Sequence, residues 1–353
     1  MTLGALLPSL HVLETSGALD PEVLDIQCNH RLVRAGDLFA AVIDANRDDH
    51  GVIEDAIAAG AAAIVLSTPP PRPLAVPWIR TDDAGKHLGR LCGPRYGAPD
   101  HQLEIAGVTG TNGKTTTCYL LESICTAAGQ ATGRSAGRIG TMGVTFAGTT
   151  TPTGFTTPEP PVLFRAFAAM ARHGVDRVAM EVSSHGIAMA RVEGIRFAVR
   201  VLTGIGHDHL DFHGDLERYA ATKLGWMLEA TRGVVVPHDD PRAGAVIDAL
   251  GDRVTTFGFA PEATLHPTAL SGDAHGTRGT FSTPAGALDF TLGLPGRHNV
   301  RNAMAAVAAA LHLSIGLAEI ARGLAGCTAV PGRLEPVANA LGITVLVDYA
   351  HTP

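Results

Sequence analysis

The chain alternates short apolar runs with amphipathic stretches, and the period of each run predicts an element. In the first hundred residues GDLFAAVI (36–43) reads as a strand, and EDAIAAGAAAIVLS (54–67) as a helix, a glycine stop and a second strand. The prolines of TPPPRPLAVP (68–77) break the pattern. A short helix follows, and GPRYGAPDHQ (93–102) has the glycine and proline content of a linker, placing a boundary near residue 98. Beyond it, LEIAGV (103–108) is an apolar strand running into a glycine-rich turn, and KTTTCYLLESICTAAG (114–129) a helix with Gly129 as its stop. RVAMEV (177–182), RFAVRVLTG (196–204) and GVVVP (233–237) add strands, and residues 299–325 form a helical run. Strands alternating with helices predict an α/β chain with a mainly parallel sheet covered on both faces. The expected division is a small N-terminal α/β domain (1–98), a central domain (99–330) and a last piece (331–353). ITVLVDY (343–349) reads as a strand with only four residues after it. A lone strand cannot bury its faces, so it must dock on something or remain mobile, as in a fragment or a truncated member of a family.

Composition narrows the picture. The 353 residues are 46% hydrophobic and 17% charged, as in compact globular proteins, and too many for one ordinary core. A net charge of −7 argues against nucleic-acid binding, so an anionic ligand must find a local positive site. Cys28, Cys92, Cys118, Cys125 and Cys327 show no CxxC spacing, which fits a reducing cytoplasm and no zinc site. The N-terminus lacks the pattern of a signal peptide. AMAAVAAALHLSIGLA (303–318), broken by His312 and Gly316, reads as a buried helix and not as a membrane span.

The chemistry concentrates at GVTGTNGKTTT (107–117). The usual phosphate loop is G-x-x-x-x-G-K-[ST]; here Val108 takes the first glycine's place and the glycine sits inside the turn at Gly110. Amides from Gly110 through Thr111, Asn112 and Gly113 to Lys114 would surround phosphate oxygens, with Lys114 reaching the terminal phosphates, Thr115 placing its hydroxyl on magnesium and Thr116 continuing the motif. Glu181 ends an apolar strand, either as a second magnesium-coordinating carboxylate or as a solvated strand end. GHDHLDFHG (206–214) lacks H-E-x-x-H. One of its histidines could help to hold magnesium, and Asp211 could cap the next helix. By spacing alone Lys223 is an exposed helix lysine. Thr157-Pro158-Glu159 reads as a capped helix start with proline at its first position. Asn299 and Asn302 share one side of a helix, where they either cap it or read an adenine edge.

Taken together, GDLF, GTNGKTTT, TTPE, MEVSSHG, DHLDFHG, RYAATK, GRHNVRNAMAA, VPGRLE and VDYAHTP, in that order, resemble the Mur ligase superfamily, and within it the MurE-type ligases. The resemblance implies an N-terminal domain for the UDP end of the substrate, a central P-loop-type ATPase domain, and a C-terminal domain that carries the incoming amino acid, of which residues 331–353 are the stub. It implies that ATP phosphorylates the terminal carboxylate of UDP-MurNAc-L-Ala-D-Glu and that the amine of diaminopimelate or lysine attacks the acyl phosphate. It implies Thr115, Glu181, His209 and Lys223 around Mg2+, with Lys223 carbamylated, and Thr156, Thr157, Ser183 and Arg191 at the muramoyl peptide. Asn299 and Asn302 match the adenine-side pair, Arg333 a nucleotide phosphate contact and Asp348 a ribose contact. Where the family reads T-N-L-[ST]-R-D-H-L-D, this chain has Gly204 and His207 in place of the asparagine and arginine, and Asn29-His30-Arg31 replaces D-S-R. The family's amino-acid-selecting domain, with its D-N-P-R-type motif, is absent from the sequence, so a separate chain is expected to supply it if ligation is to occur. A Mur-like ligase with another acceptor, or a non-catalytic nucleotide-binding subunit, are the alternative readings.

Overall fold

The computed structural model describes residues 1–44, 47–229, 232–337 and 345–349, and the chain divides into two compact units. The first comprises Met1–Gln102, Thr157–Arg172 and His185–Arg196; the second comprises Leu103–Thr156, His173–Ser184 and Phe197–Pro353. The first boundary falls four residues beyond the one expected. Two later segments that the sequence assigned to the central domain belong to the first unit instead. Their apolar residues explain this: Leu163, Phe164 and Phe167 of the helix Pro160–Arg172 are buried, and the helix packs on Ala84–Arg95 within that unit.

The first unit is built on a five-stranded sheet in the order Val12–Ser16, Trp78–Thr81, Ala63–Leu66, Leu38–Ala40, Ile26–Gln27. Only the edge strand Val12–Ser16 runs antiparallel. Phe39, Ile64, Leu66 and Trp78 form its core with Ile53 and Ala56 of a short helix. The segment expected as a linker is mostly built into the fold. The helix Ala84–Arg95, capped by the Asp83 carboxylate on the Lys86 amide, runs through Pro94. Pro99 and Asp100 are then buried in a 3-10 turn.

The second unit carries an eight-stranded sheet in the order Thr149–Thr151, Gly143–Phe146, Ser135–Gly140, Val175–Glu181, Glu104–Thr109, Val199–Leu202, Gly233–Pro237, Val254–Phe257. The last six are parallel and the first two form an antiparallel edge. The strand that feeds the glycine loop is therefore central. Register puts Glu181 opposite Val108 and Leu202 opposite Thr109, so three adjacent strands deliver their carboxyl ends to one place, where ligands bind in open α/β sheets.

The helix Lys114–Gly129 has the expected bounds, but Gly129 is not its left-handed stop; the chain continues through the turn Gln130–Thr132 to Gly133 at φ 67°. The helical run at 299–325 is two helices, Arg297–His312 and Leu317–Gly326, parted near Ser314 at φ 58°. Gly323 lets the second helix approach Lys114–Gly129 closely, since a Cβ there would lie 2.3 Å from the Ile124 Cα. Residues 303–310 are buried core, and among the described residues no helix is long and apolar enough to cross a membrane.

One layer was not legible in the sequence. His266–Asp273, Gly276–Thr283 and Gly286–Leu292 form a three-stranded antiparallel sheet, whose Phe281 and Phe290 stack at 4.0 Å. Of the strand expected at 343–349, Leu346–Val347 pairs with Glu335–Pro336, while 338–344 and 350–353 lie outside the described residues.

Candidate active site

The glycine loop is shaped from its neighbours upward. Gly110 sits at φ 145° and Gly113 at φ 87°, conformations that side-chain-bearing residues rarely adopt. A Cβ on Gly110 would lie 1.9 Å from the Thr203 Oγ1, and one on Gly113 would lie 2.4 Å from the Asn302 Oδ1. Thr203 clamps the loop from the next strand: its amide donates to the Thr109 carbonyl (2.9 Å) and its hydroxyl to the Asn112 carbonyl (2.5 Å). Thr111 completes the brace. Its amide donates to the Gly204 carbonyl at 2.9 Å, and its Oγ1 accepts from the Gly206 amide at 2.8 Å and lies 2.9 Å from the Tyr219 hydroxyl. Gly204, where the resemblance expects asparagine, stands at φ 144°. The first amides of the helix Lys114–Gly129 have no carbonyl four residues back within it, which makes this end an anion site in waiting.

Around the loop lies a cavity of about 250 Å³ lined by Lys114, Thr115, Thr141, Thr156, Glu181, Ser183, Asp208, His209, Lys223 and Arg333, among others. Lys114 donates to the Gly110 and Thr111 carbonyls at 2.8 and 2.9 Å. Burial pushes its ammonium below the usual lysine range, against the pull of Glu181 and Asp208. The Thr115 hydroxyl donates to Glu181 Oε2 at 2.9 Å, and Glu181 is 1% exposed, so the solvated strand end is ruled out. Thr116 is buried beneath the loop.

Lys223 is also 1% exposed, which corrects the expectation of a surface lysine. Its helix, Leu216–Leu228, turns it inward, where Nζ donates to Thr109 Oγ1 (3.2 Å) and the Gly110 carbonyl (3.3 Å) and lies 4.8 Å from the Tyr219 ring centroid. Desolvation, reinforced by the charge of Lys114, drives its pKa well below the ordinary value of 10.5, with Asp208 opposing. The unfolded chain therefore binds more protons between the folded pKa and 10.5, and stability rises with pH across that window. Lys223→Met lacks this dependence. Urea unfolding from pH 6 to 10 is expected to show the wild type gaining on the variant as pH rises; a constant difference would contradict the burial described.

His209 enters the cavity from a left-handed backbone (φ 50°) at the head of the short helix Leu210–His213, and its Nε2 lies 3.4 Å from Asp208 Oδ2. Asp211 does not cap the following helix. Asp215 does, accepting from the Arg218 amide at 2.8 Å.

On the other side of the loop a second cavity, of about 460 Å³, is lined by Asn112, Gly113, Gly204, Asp239, His298, Arg301 and Asn302, among others. Arg301 pairs with both oxygens of Asp239 at 2.7 and 2.5 Å. The Asn302 amide nitrogen reaches Asn299 Oδ1 (3.4 Å), and the Asn299 amide donates to the Pro295 carbonyl (2.8 Å). Asn299 thus supports Asn302 without lining the cavity. Asp348 is exposed, accepts from the Leu334 amide at 2.8 Å and lines neither cavity.

Thr157 and Arg191 belong to the first unit. Thr157 is not a helix cap: Pro160 and Pro161 open that helix, and the Glu159 carbonyl accepts from the Val162 and Leu163 amides. Arg191 donates to the Thr157 carbonyl at 3.1 Å and pairs with Glu159 at 3.2 Å. Sequence reasoning passed over Asp208, Thr141 and Thr203. Asp208 stands next to His209 in a motif already noted. The other two carry no local signal, because their roles depend on strand register.

A strand that ends in a glycine loop at a helix head, with a buried glutamate on the adjacent strand end, defines a phosphate-loop α/β protein. A family model described as "Mur ligase middle domain" matches residues 108–310. A UDP-N-acetylmuramoyl-L-alanyl-D-glutamate–2,6-diaminopimelate ligase of Geobacter metallireducens is 37% identical over 347 residues, covering 96% of this chain and 67% of that protein. One of the same name from Gloeobacter violaceus is 39% identical over 345 residues, covering 97% and 69%. A solved structure of a ligase so named superposes with a TM-score of 0.84 at 24% identity, over 100% of this chain and 72% of that one, which bears on the fold. The chain belongs to the Mur ligase family.

Proposed function

We propose that this chain binds ATP in the second unit and uses it to activate the terminal carboxylate of UDP-N-acetylmuramoyl-L-alanyl-D-glutamate for amide formation with diaminopimelate, the reaction for which its relatives are named. The observation that carries the reading is the meeting of Lys114, Thr115, Glu181 and Lys223 in one cavity at the glycine loop. The triphosphate lies over Gly110–Lys114, Lys114 turns from the loop carbonyls to the terminal phosphates, and adenosine occupies the cavity of Asn302 and Arg301, with Asn299 steadying Asn302. Arg333, which lines the cavity at the loop, meets phosphate oxygens. Thr156 and Ser183, which line the cavity at the glycine loop, face the muramoyl peptide.

The donor set fits magnesium, which takes one or two carboxylates together with hydroxyl, phosphate and water oxygens. Thr115 and Glu181 would hold one ion, and His209 and Lys223 would complete the metal region. Among the described residues there is no cluster of three His, Cys, Asp or Glu side chains, so phosphate and water oxygens would supply the remaining ligands. Held by these residues, magnesium would supply neutralisation of the phosphate charge. A neutral Lys223 amine, favoured by its burial, can add carbon dioxide and release one proton, giving a carbamate in place of the amine.

In the first step a carboxylate oxygen bonds to the γ-phosphorus and the bridging P–O bond breaks, releasing ADP. In the second the amine nitrogen bonds to the acyl carbon, the C–O bond to phosphate breaks, and phosphate leaves carrying one oxygen of the original carboxylate. Amine-selecting residues are not assigned among the described residues, and the reaction is placed in the cytoplasm, where ATP is supplied. With substrate labelled by 18O in its terminal carboxylate, released phosphate is expected to carry the label. Unlabelled phosphate, or ADP release that ignores the carboxylate substrate, would overturn the reading.

A further inference from the structure

Glu181 is aimed by more than the glycine loop. The strand Ser135–Gly140 lies beside Val175–Glu181 in parallel register, with Ile139 opposite Met180, so the chain leaving the first strand at Thr141 passes in front of the glutamate. The Thr141 amide donates to Glu181 Oε1 at 3.0 Å and its hydroxyl to Oε2 at 3.3 Å, beside the Thr115 hydroxyl bond to Oε2. Gly140 makes room for this, because a Cβ there would lie 2.1 Å from Oε1. Thr141 Oγ1 also lies 3.0 Å from Thr156 Oγ1. An ionised carboxylate only accepts, so the single hydroxyl proton of Thr141 is committed to Glu181 and its oxygen accepts the proton of Thr156. The three side chains form one directed chain, Thr156 to Thr141 to Glu181, and all three line the same cavity.

We propose that Thr141 is a positioning residue that fixes the Glu181 carboxylate for a divalent cation and ties it to Thr156 on the substrate side, an inference that rests on the reading of Glu181 as a magnesium ligand. Groups that orient a metal ligand act on metal affinity, and their loss typically costs ten- to a hundredfold. Thr141→Val keeps the shape and the backbone bond but removes the hydroxyl; Thr141→Ser keeps the hydroxyl.

The test is Mn2+ binding, followed by electron paramagnetic resonance with a non-hydrolysable ATP analogue present, together with analogue binding in the absence of metal. Thr141→Val is expected to bind Mn2+ about tenfold more weakly with metal-free analogue affinity unchanged, and Thr141→Ser to stay close to the wild type. Thermal melting checks that each variant is folded, and Thr141→Ala replaces the valine variant if that one fails. Wild-type Mn2+ affinity in Thr141→Val or Thr141→Ala overturns the proposal alone. A wild type whose Mn2+ binding is indifferent to Glu181→Gln overturns the magnesium reading, and the proposal with it.

Discussion

Lys114→Ala is expected to lower kcat/KM for ATP-driven ligation by about a thousandfold, the scale of removing one preorganised charge from a phosphoryl-transfer site. Its melting temperature should change little. The ammonium is held at 2.8 and 2.9 Å by carbonyls of its own loop, and its burial opposes its charge, so the folded state does not depend on it. Steady-state kinetics alongside a thermal melt separate the two effects. Activity within tenfold of the wild type would remove Lys114 from the phosphate site. Lys114→Arg is not a rescue, because a guanidinium is planar and longer where a compact ammonium is needed.

The second large effect concerns backbone shape. Gly110→Ala puts a Cβ 1.9 Å from Thr203 Oγ1 at a backbone φ of 145°. Strain of about 1–3 kcal/mol adds to overpacking of about 1–3 kcal/mol, against the roughly 5–15 kcal/mol that holds a domain folded. A fall in melting temperature and loss of measurable nucleotide binding are expected. Gly113→Ala should cost less, because its nearest neighbour is the Asn302 carboxamide, the far end of a side chain that can turn aside. Equal damage from the two substitutions would show that Thr203 does not shape the loop.

What the sequence revealed of this site follows from how local each signal is. Lys114 and Thr115 were legible because strand, glycine turn and helix follow each other within a few residues, and the helix Lys114–Gly129 has the bounds read from its pattern. Lys223 was misread because a lysine is ordinarily exposed, although Tyr219, Ala220, Trp226 and Met227 stand at helical spacing around it on the buried face of Leu216–Leu228. Thr141 reaches Glu181 only through the register of two strands forty residues apart. The sheet of residues 266–292 escaped because its strands are rich in threonine, glycine and alanine and bury few large side chains. The helix start at TTPEPP was misplaced by two residues, as the paired prolines, not the threonine, fix it.

The claim on which the rest depends is that the glycine loop holds a triphosphate whose divalent ion is shared by Thr115 and Glu181. Calorimetric titration of the wild-type chain with a non-hydrolysable ATP analogue and with AMP, each with and without Mg2+, tests it directly. The account predicts micromolar binding of the analogue, about 8 kcal/mol, strengthened by Mg2+, with AMP far weaker and indifferent to the metal. Equal affinity for the two nucleotides, or no response to Mg2+, would contradict it.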